Sequence, residues 1–157
     1  MAKAKPIPKG HHTITPHLVV RGAAEAIKFY KQAFGAVEMG RMAMPDGKTI
    51  MHADLMIGDS HLFLVDEFPG ASKAPEALGG SPVTLHLYVE DVDAIFKRAV
   101  KAGAQVKMPV ADMFWGDRFG KLADPFGHEW TVATHKEDPT PQEMKKRAAA
   151  AMAQMGK

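Results

Sequence analysis

Two histidines stand at matching places in two similar stretches of the chain. His17 lies in "ITPHLVVRGAA" and His86 lies in "VTLHLYVEDVD", and β-forming residues surround both of them. An imidazole in such a place can bind a divalent metal ion. Together with Glu129, the two histidines would form a ligand set of two imidazoles and one carboxylate, which is common in open metal sites. Polar lining of a cavity, inherited twice through duplication, explains the same pair without a metal.

The stretch "DMFWGDRFGK" carries a second group of candidates. Phe114 and Trp115 offer aromatic faces on which a planar ligand can stack, and Arg118 can pair with a carboxylate or a phosphate. The structural alternatives are a loop that seals the edge of a sheet, and an Arg118 that pairs with Asp117 or Asp124. The candidate ligand-binding residues are His17, His86, Tyr88, Phe114, Trp115, Arg118 and Glu129. We assign no catalytic residue.

An internal repeat indicates which elements hold these side chains. When Thr15 is placed over Thr84, residues 15–39 lie over residues 84–108 without a gap. Both stretches continue with the same order of strand and turn signals, which is typical of a duplicated unit. The identical pairs are Thr15/Thr84, His17/His86, Leu18/Leu87, Val20/Val89, Lys28/Lys97, Ala33/Ala102, Val37/Val106 and Met39/Met108.

Each half of the chain is predicted to have the order βαβββ. Helical segments at residues 23–34 and 92–102 are each followed by a helix-ending glycine, Gly35 and Gly103. The predicted strands are residues 13–21, 36–44, 49–57, 61–66, 83–89, 105–111, 119–123 and 128–135. The predicted units are a mobile N-terminal segment (1–12), a first module (13–66), a linker (67–82), a second module (83–135) and a C-terminal helical tail (136–157).

Alternation along the strands assigns their faces. In residues 83–89 the aliphatic side chains point to one side, and His86 and Tyr88 point to the other. The aliphatic side should pack beneath the helix, so the two rings should face away from it. We therefore expect an α+β fold in which paired βαβββ modules form a curved mixed sheet around a ligand-sized cavity, with an added C-terminal helix.

The C-terminal tail has a clear helix start. Thr140 and Glu143 form the two ends of a capping box, and Pro141 occupies the first helical position. Met152 and Met155 belong to a modest apolar stripe on this helix. We expect the stripe to dock on the body of the protein or on a partner subunit.

Composition argues against several classes of function. The net charge is only +2 and no basic stripe interleaved with aromatic residues occurs, so we expect no nucleic-acid binding. No apolar run approaches the roughly 18 residues that span a bilayer, and the start lacks the apolar stretch of a signal peptide. The lack of cysteine excludes disulfides, thiolate chemistry and sulfur-bound zinc. We expect a cytoplasmic protein without a membrane partner.

The paired modules and the motif "GDRFGKLADPFGHEWTVATHKEDPTPQEM" resemble the vicinal oxygen chelate superfamily, which holds glyoxalase I, bleomycin and fosfomycin resistance proteins, and extradiol dioxygenases. The motif is similar to the PhnB-like branch, and the resemblance covers residues 13–135. Its enzymes bind a divalent metal through the first and fourth strands of each module. The resemblance places these ligands at Thr15, Leu62, Thr84 and Thr131. A threonine hydroxyl is a poor ligand and leucine is none, so we expect the usual metal site to be missing.

The leading hypothesis is a cytoplasmic, homodimeric, PhnB-like protein that binds a small organic molecule without a cofactor. The resemblance implies that the cavity is completed across subunits. The rival is a metal-dependent isomerase, lyase, transferase or dioxygenase whose displaced His17/His86/Glu129 site holds the ion as a Lewis acid. A third alternative is a protein–protein interaction module with a vestigial cavity. Catalysis, the identity of the ligand, and pairing of modules within or between chains stay open on sequence grounds.

Overall fold

The computed structural model describes residues 4–156 and divides them between two similar halves. Residues 1–3 of the predicted mobile segment and residue 157 of the predicted tail lie outside the described residues. In chain order the elements are β1 (His17–Val20), α1 (Ala23–Phe34), β2 (Val37–Ala43), β3 (Ile50–Ile57), β4 (Ser60–Asp66), α2 (Pro75–Leu78), β5 (Thr84–Tyr88), α3 (Val92–Ala102), β6 (Gln105–Asp112), β7 (Asp117–Ala123), β8 (Glu129–His135) and α4 (Pro141–Met155).

Two four-stranded mixed sheets form, with the orders β1-β4-β3-β2 and β5-β8-β7-β6. In each sheet the first strand of the module pairs in parallel with the fourth, and the remaining pairs are antiparallel. The registers match as well, because His17 lies opposite Phe63 and His86 lies opposite Thr131. The predicted α+β fold with two βαβββ modules and a C-terminal helix is confirmed.

The helices α1 and α3 end and begin where the sequence predicts. Gly35 has a φ of 67°, a left-handed conformation that favours glycine, and it terminates α1. Asp91 caps α3, because its side chain accepts a hydrogen bond from the Ala94 backbone N–H at 3.0 Å. Gly22 offers no capping side chain to α1, and Asp66 at the end of β4 accepts from the Gly22 and Ala23 N–H groups instead.

One core joins the two modules, and the helices lie within it. The Tyr30 ring of α1 lies 5.4 Å from the Trp130 ring of β8, and the Phe34 ring lies 4.8 Å from Trp130. Trp130 is 1% exposed, as predicted for a side chain on the helix face. Each sheet thus packs one face against helices and leaves its other face open.

The structure differs from the predicted elements at β1, in the linker, at α4 and at the start of β7, which is Asp117 rather than residue 119. The first strand begins only at His17, because Pro16 has no N–H to extend the ladder, and Ile14 before it is 83% exposed. The linker contains the short helix α2. The capping box of α4 is confirmed, but Met152 and Met155 are exposed and do not dock on the body. No helix among residues 4–156 is long and apolar enough to cross a membrane.

Candidate functional site

Side chains from three strands line the open face of the second sheet. Alternation and register place His86 and Tyr88 of β5, Thr131 of β8, and Phe119 and Asp117 of β7 on this face. His86 Nδ1 lies 2.7 Å from the Thr131 hydroxyl oxygen, which fixes the orientation of the imidazole. The predicted face of His86 and Tyr88 therefore agrees with their position in the structure.

The aromatic rings of this face form a row in the spatial order Tyr88, His86, Phe119 and Trp115. We call these four residues the aromatic wall. The His86 ring lies 4.5 Å from Tyr88 and 6.1 Å from Phe119 between centroids. Trp115 continues the row at 5.4 Å from Phe119. Phe114 packs edge-on against Trp115 at 5.2 Å, so it supports the end of the wall.

A tight turn between β6 and β7 holds Trp115 in place. The Gly116 N–H donates to the Met113 carbonyl at 3.1 Å, and the Gly116 carbonyl accepts from the Lys136 N–H at 2.9 Å. Gly116 has a φ of 105°, and an added Cβ would collide with the backbone oxygen of Glu137. The glycine thus lets two backbone segments approach each other at the base of the wall.

Asp117 is a buried carboxylate beneath the wall, and three side chains donate to it. Tyr88 Oη donates to Oδ2 at 3.2 Å, Trp115 Nε1 donates to Oδ2 at 3.0 Å, and His135 Nδ1 lies 2.7 Å from Oδ1. Because β7 and β8 place Asp117 opposite His135, the pair follows directly from the strand register. Two side chains of the wall and one histidine therefore share a single acceptor.

These contacts perturb the titration of the groups involved. Burial raises the pKa of the Asp117 carboxyl, but the hydrogen bonds from His135, Trp115 and Tyr88 outweigh it and hold the pKa below its usual value. The hydrogen bond to Asp117, and next that to Asp138, raises the pKa of His135. The bond to Asp117 also raises the pKa of the Tyr88 hydroxyl. The site thus pairs an anionic carboxylate with a histidine that favours its charged form.

Arg118 and Glu129 of the second sheet do not belong to the aromatic wall. Arg118 occupies the helix face of β7, where it makes two hydrogen bonds with Asp93 of α3, at 2.7 and 2.9 Å, and one with Asp112 at 3.2 Å. Asp117 and Asp124, the partners that the sequence offers as alternatives, are therefore not the observed ones. Glu129 shares the open face but forms an ion pair with Lys121.

The displaced His17/His86/Glu129 metal set is not assembled in the structure. His17 lies on the first sheet, whereas His86 and Glu129 lie on the second. Among residues 4–156, one group of at least three potential ligands lies within mutual reach, and it consists of His11, Asp54 and His61. The rival hypothesis of one ion held by His17, His86 and Glu129 does not fit this arrangement, because the two repeated modules place one of the two histidines on each sheet.

The positions that the family resemblance assigns to metal ligands do not fit a divalent ion. Leu62 is 3% exposed and packs in the core, and the Thr131 hydroxyl is engaged by His86. Thr15 and Thr84 offer only neutral hydroxyl groups. The side chains at these positions therefore lack the imidazole or carboxylate donors that such an ion needs.

The first sheet has an open face of different character. His17 lies 6.4 Å from His52 and 6.3 Å from Phe63 between ring centroids, and His52 lies 4.8 Å from Phe63. Between the modules, a cleft of about 670 Å³ runs along β5 and is lined by residues that include His61, His86 and Tyr88. The cleft therefore lies between two residues of the aromatic wall and His61 of the first module.

The sequence matches a known family of this fold. The model of the Glyoxalase/Bleomycin resistance protein/Dioxygenase superfamily matches residues 10–132. The chain therefore belongs to this superfamily.

Relatives from bacteria and plants resemble the chain along most of its length. The protein Rv0887c of Mycobacterium tuberculosis (strain ATCC 25618 / H37Rv) is 54% identical over 123 residues, which cover 76% of this chain and 72% of that protein. The X-ray structure of the Arabidopsis thaliana product At5g48480 is 32% identical, with a TM-score of 0.64, and the match covers 78% of this chain and 98% of that one. TioX from Micromonospora sp. ML1 is 28% identical with a TM-score of 0.62, over 79% of this chain and 98% of that one.

Proposed function

We propose that the protein binds a small planar organic molecule against the aromatic wall, in a cavity that a second copy of the chain closes. The observation that carries this proposal is the row of touching rings on an open sheet face. Aromatic faces stack on planar ligands, and such rows are seldom left against water without a partner. Tyr88 is 65% exposed, which leaves room for a ligand on this face.

The polar groups beneath the aromatic wall fix the orientation of two of its rings. Asp117 holds the Tyr88 hydroxyl and the Trp115 indole N–H, so two rings of the wall are fixed before a ligand arrives. Preorganised rings lose little conformational entropy on binding. His135 is half exposed beside Asp117, and its two ring nitrogens contact Asp117 and Asp138. A planar ligand that stacks on the fixed rings matches this arrangement.

Three features support closure by a second copy. The strands β1 and β5 stand at sheet edges, so each has one side without a strand partner in the described chain. The cleft of about 670 Å³ runs along the free edge of β5. Exposed methionines such as Met39 and Met42 extend the apolar surface of β2. Closure across subunits is also typical of the superfamily, and the motif "GDRFGKLADPFGHEWTVATHKEDPTPQEM" favours its PhnB-like branch.

Trp115 provides the experiment that tests ligand binding. The chain has two tryptophans, and Trp130 is buried in the core, so quenching by a ligand should act on Trp115. We would screen a neutral, a cationic and an anionic planar probe, namely quinoline, acridine orange and naphthalene sulfonate, by thermal shift and fluorescence. Trp115→Ala should weaken the best probe by about 5- to 150-fold, since one stacked ring contributes about 1–3 kcal/mol.

Phe68→Ala is the matched control, because Phe68 is an exposed aromatic residue of the linker. It should leave the affinity unchanged. The proposal fails if no planar probe stabilises the protein, or if Trp115→Ala binds as tightly as the wild type. Sedimentation equilibrium tests closure separately: the expected species is a dimer, and a monomer at high concentration contradicts it.

A further inference from the structure

We propose that His11, Asp54 and His61 form a site for one divalent transition-metal ion, which fastens the N-terminal segment to the first sheet. His11 precedes β1, Asp54 lies in β3 and His61 lies in β4. One ligand atom from each residue lies within 4.8 Å of the others. This site shares no residue with the aromatic wall, so it stands independently of the proposed function.

The three side chains already lie close together. His61 Nδ1 lies 2.7 Å from Asp54 Oδ1, and His11 Nε2 lies 3.8 Å from Asp54 Oδ2. The second distance is too long for a hydrogen bond. Zinc bonds of about 2.0–2.2 Å place two ligands of one tetrahedral ion about 3.4 Å apart, so the spacing is close to that required, and the His11 ring must turn from its stacked position on His61 to face the ion.

His11 is poorly satisfied by protein groups alone. Its ring stacks on that of His61 with centroids 3.6 Å apart and an interplanar angle of 12°. Its Nδ1 atom is buried and has no hydrogen-bond partner among the described residues. Leaving such an atom buried and unpaired is unfavourable. Because His11 belongs to an irregular segment, its ring can turn toward an ion without breaking a helix or a strand.

The donor set selects the kind of ion. Two imidazoles and one carboxylate suit Zn²⁺, Co²⁺, Ni²⁺ or Cu²⁺, whereas Mg²⁺ and Ca²⁺ prefer oxygen ligands. Three protein ligands leave one tetrahedral position, which water can fill. A second close pair, His12 and Asp59, joins the same segment to the β3–β4 turn with 3.8 Å between Nε2 and Oδ2. The ion would therefore strengthen a contact that the segment already makes.

The duplicated module shows that this donor set is particular to the first half. The register places Asp54 and His61 where the second sheet has Lys121 and Glu129. Both pairs are close, but Lys121 and Glu129 form an ion pair. A protonated lysine donates hydrogen bonds and cannot bind a metal. The Asp54–His61 pair therefore has no counterpart with metal-binding donors at the equivalent positions of the second sheet.

The site also differs from the ligand positions that the family resemblance implies. Those positions draw on both modules, whereas His11, Asp54 and His61 all come from the first module and the segment before it. His61 is the neighbour of Leu62 in β4 but points to the opposite face, since Leu62 packs in the core. An ion bound here would link the N-terminal segment to the first sheet.

Titration of tag-free, chelator-stripped protein with ZnCl₂ and CoCl₂ tests the proposal. We expect one ion per chain by calorimetry and visible absorption bands of four-coordinate Co²⁺. His11→Ala and Asp54→Asn should each weaken binding at least tenfold. His17→Ala is the matched control, because His17 is an exposed imidazole of the same module, and it should bind like the wild type.

The variant His11→Ala keeps the test decisive even if changes at His61 or Asp54 disturb folding, because residue 11 lies outside every helix and strand. Thermal unfolding without metal verifies that each variant is folded. Added Zn²⁺ should protect the segment before β1 from proteolysis in the wild type only. Absence of one-to-one binding overturns the proposal, as does binding that the His11 and Asp54 variants retain in full.

Discussion

The hydrogen bonds around Asp124 should control how firmly the two modules pack on each other. Asp124 is buried and accepts four hydrogen bonds. Its Oδ2 accepts from Tyr30 Oη at 2.6 Å and from Trp130 Nε1 at 2.9 Å, and its Oδ1 accepts from the N–H groups of Phe126 and His128, both at 2.9 Å. Tyr30 belongs to the first module and the other groups to the second, so one carboxylate links the halves.

Two substitutions measure separately what Tyr30 and Asp124 contribute to the free energy of unfolding. Tyr30→Phe removes one hydrogen bond to a charged acceptor, which is worth about 1.5–3 kcal/mol. Asp124→Asn keeps the shape but replaces one accepting oxygen with an NH₂ group, so two buried donors lose their acceptor at a cost of about 3–6 kcal/mol. A chain of this size loses about 2–4 °C in Tm for each kcal/mol, so Tyr30→Phe should melt about 3–12 °C lower.

Urea and thermal unfolding followed by circular dichroism measure both variants. Tyr88→Phe is the control, because the chain has two tyrosines and Tyr88 also donates to an aspartate, but from an exposed position. It should cost less than about 1 kcal/mol. The double variant Tyr30→Phe/Asp124→Asn should lose less than the sum of the single changes, because they share one bond. Equal losses for the two tyrosine variants would refute the anchoring role of Asp124.

Two further predictions concern the second module. Gly120→Ala should lower the free energy of unfolding in urea by about 1–3 kcal/mol, since the new Cβ would lie 2.6 Å from Phe96 Cε2. The control Gly40→Ala should cost less, because its new Cβ would meet nothing within 4 Å. Equal losses for the two variants would contradict this prediction. His135→Gln should destabilise most below pH 6, because the raised pKa of His135 gives stability that is present below about 6.5 and fades as pH rises through the folded-state pKa. A wild-type advantage that grows toward pH 9 is the contrary result.

Local signals in the sequence are sufficient to predict most of the fold. The helices at 23–34 and 92–102 match the observed ones, because helical spacing, an aspartate cap and terminal glycines act within a few residues. The start of β1 was misplaced, because Thr13, Ile14 and Thr15 have high β propensity. Pro16 ends the ladder for lack of an N–H. The pairing of β1 with β4 gives no local signal, because the two strands lie far apart along the chain.

The site was harder to predict because it depends on register. The sequence predicts that the seventh strand begins at residue 119, whereas β7 begins at Asp117. Arg118 thus lies outside the predicted strand, and alternation along that strand does not assign its face. Alternation from the true start directs Arg118 to the helices and Asp117 to the open face. His135 was missed because its partner is 18 positions away and is set by β7–β8 pairing. Strand pairing determines such contacts, and no short motif encodes it.

The two histidines that duplication preserved are less informative than the residues that differ between the modules. His17 and His86 occupy equal registers, but His17 faces Phe63 whereas His86 faces Thr131. Inherited backbone geometry thus supplies equivalent positions on two open faces, and substitution at those positions gives each face its own chemistry. One face acquired imidazoles and a carboxylate, and the other acquired a row of aromatic rings. A fold built from repeated modules can therefore carry a His/Asp/His cluster on one sheet and a row of aromatic rings on the other without changing its topology.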